Sequence, residues 1–201
     1  MHAFWTAFIL IFLAEMGDKT QFMTMALSTR FPARTVITGV CLGTFAVSFL
    51  SVALGETVGR LLPYFWINLL AGLAFIAFGI VSLFEKEESE EEDAKEIGKT
   101  EKNIEEKHWG PALSVAGAFF LAELGDKTML ATVAIAGREY RFFWEVWLGS
   151  SIGLVSANAL GLVAGKTIAK KLSAKTLRYL IVLIYVISGA VAIFEAFKSK
   201  P

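Results

Sequence analysis

A nine-residue segment occurs twice in this chain, as Phe-Leu-Ala-Glu-Met-Gly-Asp-Lys-Thr from Phe12 to Thr20 and as Phe-Leu-Ala-Glu-Leu-Gly-Asp-Lys-Thr from Phe120 to Thr128. Each copy sits in a stretch apolar enough to enter a bilayer, where ionisable groups are costly and mark an ion, substrate or proton pathway. Hydropathy supplies six spans of the length that a hydrocarbon core of roughly 30 Å demands, at about 4–27, 36–59, 64–84, 110–136, 143–165 and 177–197. They are long and nearly continuous, so they read as helices; membrane strands run about 9–11 residues with alternating polarity. The two copies fall in spans one and four, which makes the repeat three helices long. An odd number of crossings forces the second copy into the opposite orientation. The chain is therefore expected to be an all-α membrane protein, six transmembrane helices forming two inverted three-helix repeats, with the two segments facing each other near the midplane.

Composition agrees. With 55% hydrophobic residues and a mean hydropathy of +0.59, the chain holds more apolar material than one soluble core of this size needs. Matching glycines extend the repeat: Gly43, Gly55 and Gly59 fall on Gly149, Gly161 and Gly165, and Gly79, Phe84 and Glu85 on Gly189, Phe194 and Glu195. In this register Glu56 faces Leu162. The halves are 1–84 and 109–201, joined by residues 85–108, a charged segment containing Glu90 to Asp93 with little to bury, which reads as a solvated linker. The loops after spans one, three and five carry the larger share of Lys and Arg, which places the linker in the cytoplasm and both termini outside. The first span lacks a basic leader and a cleavage site and holds Glu15, Asp18 and Lys19, so it is read as retained. Cys41 stands alone, and His2 and His108 lie outside the spans, which excludes a disulfide and a histidine metal site. Trp5, Trp66, Trp109, Trp144 and Trp147 fall near span ends, as headgroup anchors do.

In a continuous helix Glu15, Asp18 and Lys19 share one face, as do Glu123, Asp126 and Lys127. Gly17 and Gly125 lie between the acids and allow the backbone to bend or partly unwind, releasing carbonyls. Thr20 and Thr128 add hydroxyl oxygens, and Gln21 an amide oxygen in the first copy only. A site so rich in oxygen and poor in nitrogen favours Ca²⁺, Mn²⁺ or Mg²⁺ over Cu⁺ or Zn²⁺. Four carboxylates and two ammonium groups leave two negative charges, which one divalent ion neutralises. The competing structural reading takes Glu15 with Lys19, and Glu123 with Lys127, as i, i+4 ion pairs that serve packing. Of the other polar residues in spans, Asn158 is the strongest candidate for the site, ahead of Thr44, Ser48, Ser51, Ser150, Ser151 and Ser156.

The two Glu-x-Gly-Asp-Lys-Thr runs, Glu15 to Thr20 and Glu123 to Thr128, resemble the duplicated Glu-x-Gly-Asp-Lys-Ser/Thr signatures of a cation/proton exchanger family that includes eukaryotic Golgi calcium/manganese transporters and bacterial manganese exporters. The resemblance covers nearly the whole chain. It implies an antiporter in which Glu15, Asp18, Glu123 and Asp126 are the metal ligands or proton carriers, Lys19 and Lys127 tune charge, and Thr20 and Thr128 add oxygens or cap the bend. It further implies Mn²⁺ or Ca²⁺ as transported substrate rather than resident cofactor, protons as counter-substrate, and a bacterial inner membrane as location. An exporter of an amino acid or other small cation, a passive cation channel, and a scaffold of ion-paired helices are the alternatives. Nothing in the chain reads as an enzyme or a nucleic-acid binder: it has no nucleotide-binding loop and no nucleophile beside a base. The sequence assigns no oligomeric state.

Overall fold

The first apolar run forms α1, His2–Glu15, and stops where the repeated segment begins its polar half. Met16 and Asp18 have extended backbone angles, and the chain re-enters a helix, α2, at Lys19–Arg30. Two long helices follow, α3 at Ala33–Leu61 and α4 at Tyr64–Phe84, separated by Pro63, which cannot continue a helix begun upstream. The second half repeats the pattern: α5 Pro111–Glu123, α6 Lys127–Arg138, α7 Phe143–Ala164 and α8 Ala174–Lys198. This computed structural model describes residues 1–16, 18–84, 110–164 and 174–198, and among them the only regular structure is helix, with no strand. The expected linker, 85–108, lies outside the described residues.

Spans one and four are thus broken rather than continuous. At 1.5 Å per residue, α1 and α5 are each about 20 Å long and reach only part-way across a bilayer before the break. Gly125 supplies the turn in the second copy with φ +85°, a region closed to most side chains. By length and composition α3, most of α4 and the Tyr179–Lys198 portion of α8 can each cross a membrane unaided. Large apolar side chains along them face outward, among them Leu42, Phe49, Leu73, Ile80, Leu183 and Ile187.

The halves interlock by exchanging grooves. Helix α3 runs along α5 and α6, and α7 runs along α1 and α2, while α4 packs on α8. Small residues permit the close approach, as is usual between membrane helices. A Cβ at Gly39 would lie 2.6 Å from the Ala112 carbonyl, and one at Gly149 would lie 2.4 Å from the Phe4 carbonyl. Gly43 meets Ala116 in the same way, and Gly153 meets Phe8. Because Ala112 and Ala116 are the repeat counterparts of Phe4 and Phe8, Gly39 corresponds to Gly149 and Gly43 to Gly153. The match of Gly43 to Gly149 read from the sequence is therefore one helical turn out. Glycines recurring every four residues make a one-turn slip invisible in the string. In the corrected register Ser48 is the counterpart of Asn158, and the counterpart of Glu56 lies outside the described residues.

Polar contacts collect several helix ends on one face of the bundle. The Met1 ammonium lies 2.5 Å from Glu145 at the start of α7. Arg138, ending α6, donates to Asn68 near the start of α4 at 2.8 Å and to Glu195 near the end of α8 at 2.6 Å. Trp5, Trp66 and Trp144 are about half exposed or more, as interfacial anchors are. Trp147 is not an anchor: its indole donates to the Phe45 carbonyl at 3.1 Å and packs edge-on to Phe45 and Phe49, fastening α7 to α3. Trp109 lies outside the described residues.

Candidate functional site

The two breaks bring four helix ends together in the interior. Glu15 closes α1 and Glu123 closes α5; Asp18 and Asp126 immediately precede α2 and α6. Carboxylates at those N-termini face the partial positive charge of unpaired backbone N–H groups. The same turn is built twice, with the Asp18 amide donating to the Glu15 carbonyl at 3.1 Å and the Asp126 amide to the Glu123 carbonyl at 3.2 Å.

The side chains repeat the symmetry. Glu15 and Glu123 are almost wholly buried, as are Thr20 and Thr128. Thr20 donates its hydroxyl to Glu15, and Thr128 donates to Glu123 at 2.7 Å. One turn on, Thr24 and Thr132 donate to the carbonyls of Thr20 and Thr128 at 2.9 and 2.8 Å, holding the threonines in place. The four acids lie within each other's electrostatic reach.

The face-sharing geometry of a continuous helix does not exist here, because the helix is interrupted between each glutamate and its lysine. The ammonium of Lys127 instead lies 2.9 Å from Asp18 of the other half, in a pair largely shut off from solvent. The charges of Lys127 and, less strongly, Lys19 act on Asp126. Asp18 is thus matched with a lysine of the other half, and one oxygen each of Glu15, Asp18 and Glu123 is buried without a hydrogen-bond partner. Among the described residues no three His, Cys, Asp or Glu side chains form a ready-made metal cage. The carboxylates are engaged by threonine, asparagine and lysine.

Beyond the motif, Asn158 reaches the site from α7: its amide nitrogen is 3.4 Å from Glu15, and its oxygen accepts from Thr24 at 3.1 Å. A small crevice lined by Thr24, Val40, Val155 and Asn158 adjoins this side. Gln21 lies against α7, donating to the Ala157 carbonyl at 2.7 Å and covering Gly161. Ser51 and Ser150 bond back to their own helices, at 2.7 and 2.8 Å. Sequence reasoning missed Thr24, Thr132 and Tyr185. The threonines follow Thr20 and Thr128 by four residues, a visible signal; Tyr185 carried none by itself.

This arrangement can hold a hard cation among oxygens or, alternately, protons on the same oxygens. The family described as divalent cation/proton antiporter GDT1 matches residues 3–90 and 111–200. The chain is 34% identical over 184 residues to GDT1-like protein sll0615 of Synechocystis, covering 87% of this chain and 88% of that one. It is 29% identical over 211 residues to Protein PAM71, chloroplastic, of Arabidopsis thaliana, covering 96% of this chain and 56% of that one. GDT1-like protein 5 of Arabidopsis thaliana is 26% identical over 94% of both chains. No solved structure matches.

Proposed function

The chain belongs to the GDT1 family of divalent cation/proton antiporters, and from that premise we propose that it exports Mn²⁺, with Ca²⁺ as the alternative cargo, from the cytoplasm in exchange for protons. The observation that carries this reading is the convergence of Glu15, Asp18, Glu123 and Asp126 at two matched helix breaks, with buried oxygens lacking partners. We assign Glu15 and Glu123 as the principal ligands and proton carriers, and Asp18 and Asp126 as ligands that a cross-half lysine holds when no metal is bound. Thr20 and Thr128 supply hydroxyl oxygens. Lys19 and Lys127 set the charge. Gln21, the remaining candidate ligand, is assigned to holding α2 on α7, since its amide nitrogen is engaged there.

The architecture in this reading is six crossings in two inverted repeats, the first and fourth each built from two half-helices. Reciprocal packing of α3 on α5–α6 and of α7 on α1–α2 supports it. The excess of Lys and Arg supports a cytoplasmic linker with both termini outside, in a bacterial inner membrane. A cargo ion entering between the halves displaces threonine and lysine partners from the carboxylates, and rocking of one half against the other exposes the site to the far side.

Proteoliposomes test the proposal. An imposed proton gradient is expected to drive Mn²⁺ or Ca²⁺ uphill in the opposite direction, and a protonophore to abolish that accumulation. Flux that follows only the metal's own gradient, with no pH change in the lumen, would identify a channel instead.

A further inference from the structure

The buried polar residue that the exchange reading leaves unused is Tyr185. It is the largest fully buried side chain among the described residues, 1% exposed in the middle of α8, and its hydroxyl is buried without a hydrogen-bond partner. Buried phenols ordinarily find such a partner, all the more in a membrane interior. Its ring stacks on Phe75 of α4 with centroids 6.0 Å apart and meets Phe78 at 5.9 Å, so the ring is held by apolar walls on the α4 side. The charged groups that act on the hydroxyl are Lys127, Asp126, Glu15 and Asp18, all members of the acid cluster.

The repeat explains why this hydroxyl is informative. Gly79 and Gly189 are counterparts, so Phe75 is the counterpart of Tyr185, and the two rings stack on each other where α4 crosses α8. The same fold position is therefore filled by a phenyl ring in one half and a phenol in the other. Packing alone is satisfied by phenylalanine, as Phe75 demonstrates. What tyrosine adds is one buried, unpartnered oxygen within the electrostatic reach of the acid cluster, from one half only.

The geometry points to Tyr185 as a cation-site residue, its hydroxyl serving the bound divalent ion directly or through one water that the ion retains, and making the two halves of the site unequal. The inference rests on the cation-exchange reading above. Its effect falls on affinity and on discrimination between ions, because Ca²⁺ accepts more and looser oxygen ligands than Mg²⁺-like ions, which keep their water.

Mn²⁺ and Ca²⁺ binding to the detergent-purified full chain, by calorimetry, tests this in three proteins: unsubstituted, Tyr185→Phe, and Phe75→Tyr/Tyr185→Phe, with thermal unfolding of each without metal as the folding control. Tyr185→Phe is expected to unfold at the same temperature, to bind Mn²⁺ about tenfold more weakly, and to shift the Mn²⁺/Ca²⁺ affinity ratio. The double substitution, which returns a hydroxyl from the other half, is expected to recover part of the loss. Unchanged affinity and ratio in Tyr185→Phe, alongside normal binding by the unsubstituted chain, would overturn this inference alone. No binding by the unsubstituted chain would overturn the cation reading and this inference with it.

Discussion

Replacing Glu15 or Glu123 by glutamine separates a ligand from a scaffold. Glutamine keeps the shape and an oxygen that can accept from Thr20 or Thr128, so the two helix ends remain in place. What disappears is charge. Asp18 is offset by Lys127 at 2.9 Å, and Asp126 lies in the field of Lys19, so the two glutamates carry the charge a divalent ion must find. A carboxylate oxygen about 2.3 Å from a divalent cation gains roughly 14 kcal/mol of Coulomb energy at an effective dielectric of about 20, before dehydration of both partners is subtracted. If a quarter survives, about 3.6 kcal/mol, losing the charge weakens binding more than about 100-fold. Titration calorimetry with Mn²⁺ on the folded, detergent-purified variants reads this directly, and vesicle uptake should fall with it. Binding within about threefold of the unsubstituted chain in both variants would refute the assignment, because a packing role for the glutamates survives amidation.

Lys127→Gln strands a buried carboxylate at Asp18 and is expected to cost about 3–5 kcal/mol of stability, most of it recovered in Asp18→Asn/Lys127→Gln; thermal unfolding decides, and a single variant as stable as the parent would refute the pair's role. Gly43→Val drives a Cβ to 2.6 Å from the Ala116 carbonyl and should destabilise by about 1–3 kcal/mol while leaving the site's charge intact. With Cys41 replaced by serine, single cysteines at Ser89 and Ser199 should label from opposite membrane faces with an impermeant reagent. Labelling of both from one side would refute the six-crossing arrangement.

The duplicated segment nominated the candidate site because its logic is local: acids, a glycine and a hydroxyl lie within six residues of each other in a bilayer-length apolar run. Gly125 also foretold the turn in the second copy, whereas Gly17 lies outside the described residues. The partners of the charges were not legible. Spacing paired Glu15 with Lys19 inside one helix, whereas breaking the helix frees Lys127 to meet Asp18 of the other half, a contact 109 residues apart. Asn158 could be nominated because an amide in lipid needs a partner, but its attachment to Glu15 depends on how α7 sits against α1 and α2. The Arg138, Asn68 and Glu195 network was unreadable for the same reason, since it joins three helix ends far apart in the chain. Tyr185 was hidden by composition, an aromatic ring in an apolar helix being ordinary until its neighbours are known.

The cross-half pairing also bears on how exchange is enforced. With Asp18 matched to Lys127 and Asp126 in the field of Lys19, the balance left to the cargo is two negative charges on Glu15 and Glu123. One divalent ion cancels them, and so do two protons. An empty site with both glutamates ionised is the costly state in a membrane interior, so the halves are expected to rearrange when loaded with either cargo and to resist rearrangement when empty. Metal binding must then release protons. Apparent Mn²⁺ affinity should fall as pH falls, and the slope of log affinity against pH should approach two where both glutamates bind protons in the metal-free protein. Exchange of one divalent ion for two protons moves no net charge, so a membrane potential set with potassium and valinomycin should leave flux unchanged while a pH gradient drives it. Affinity independent of pH, or uptake driven by potential as strongly as by pH, would refute the two-glutamate account.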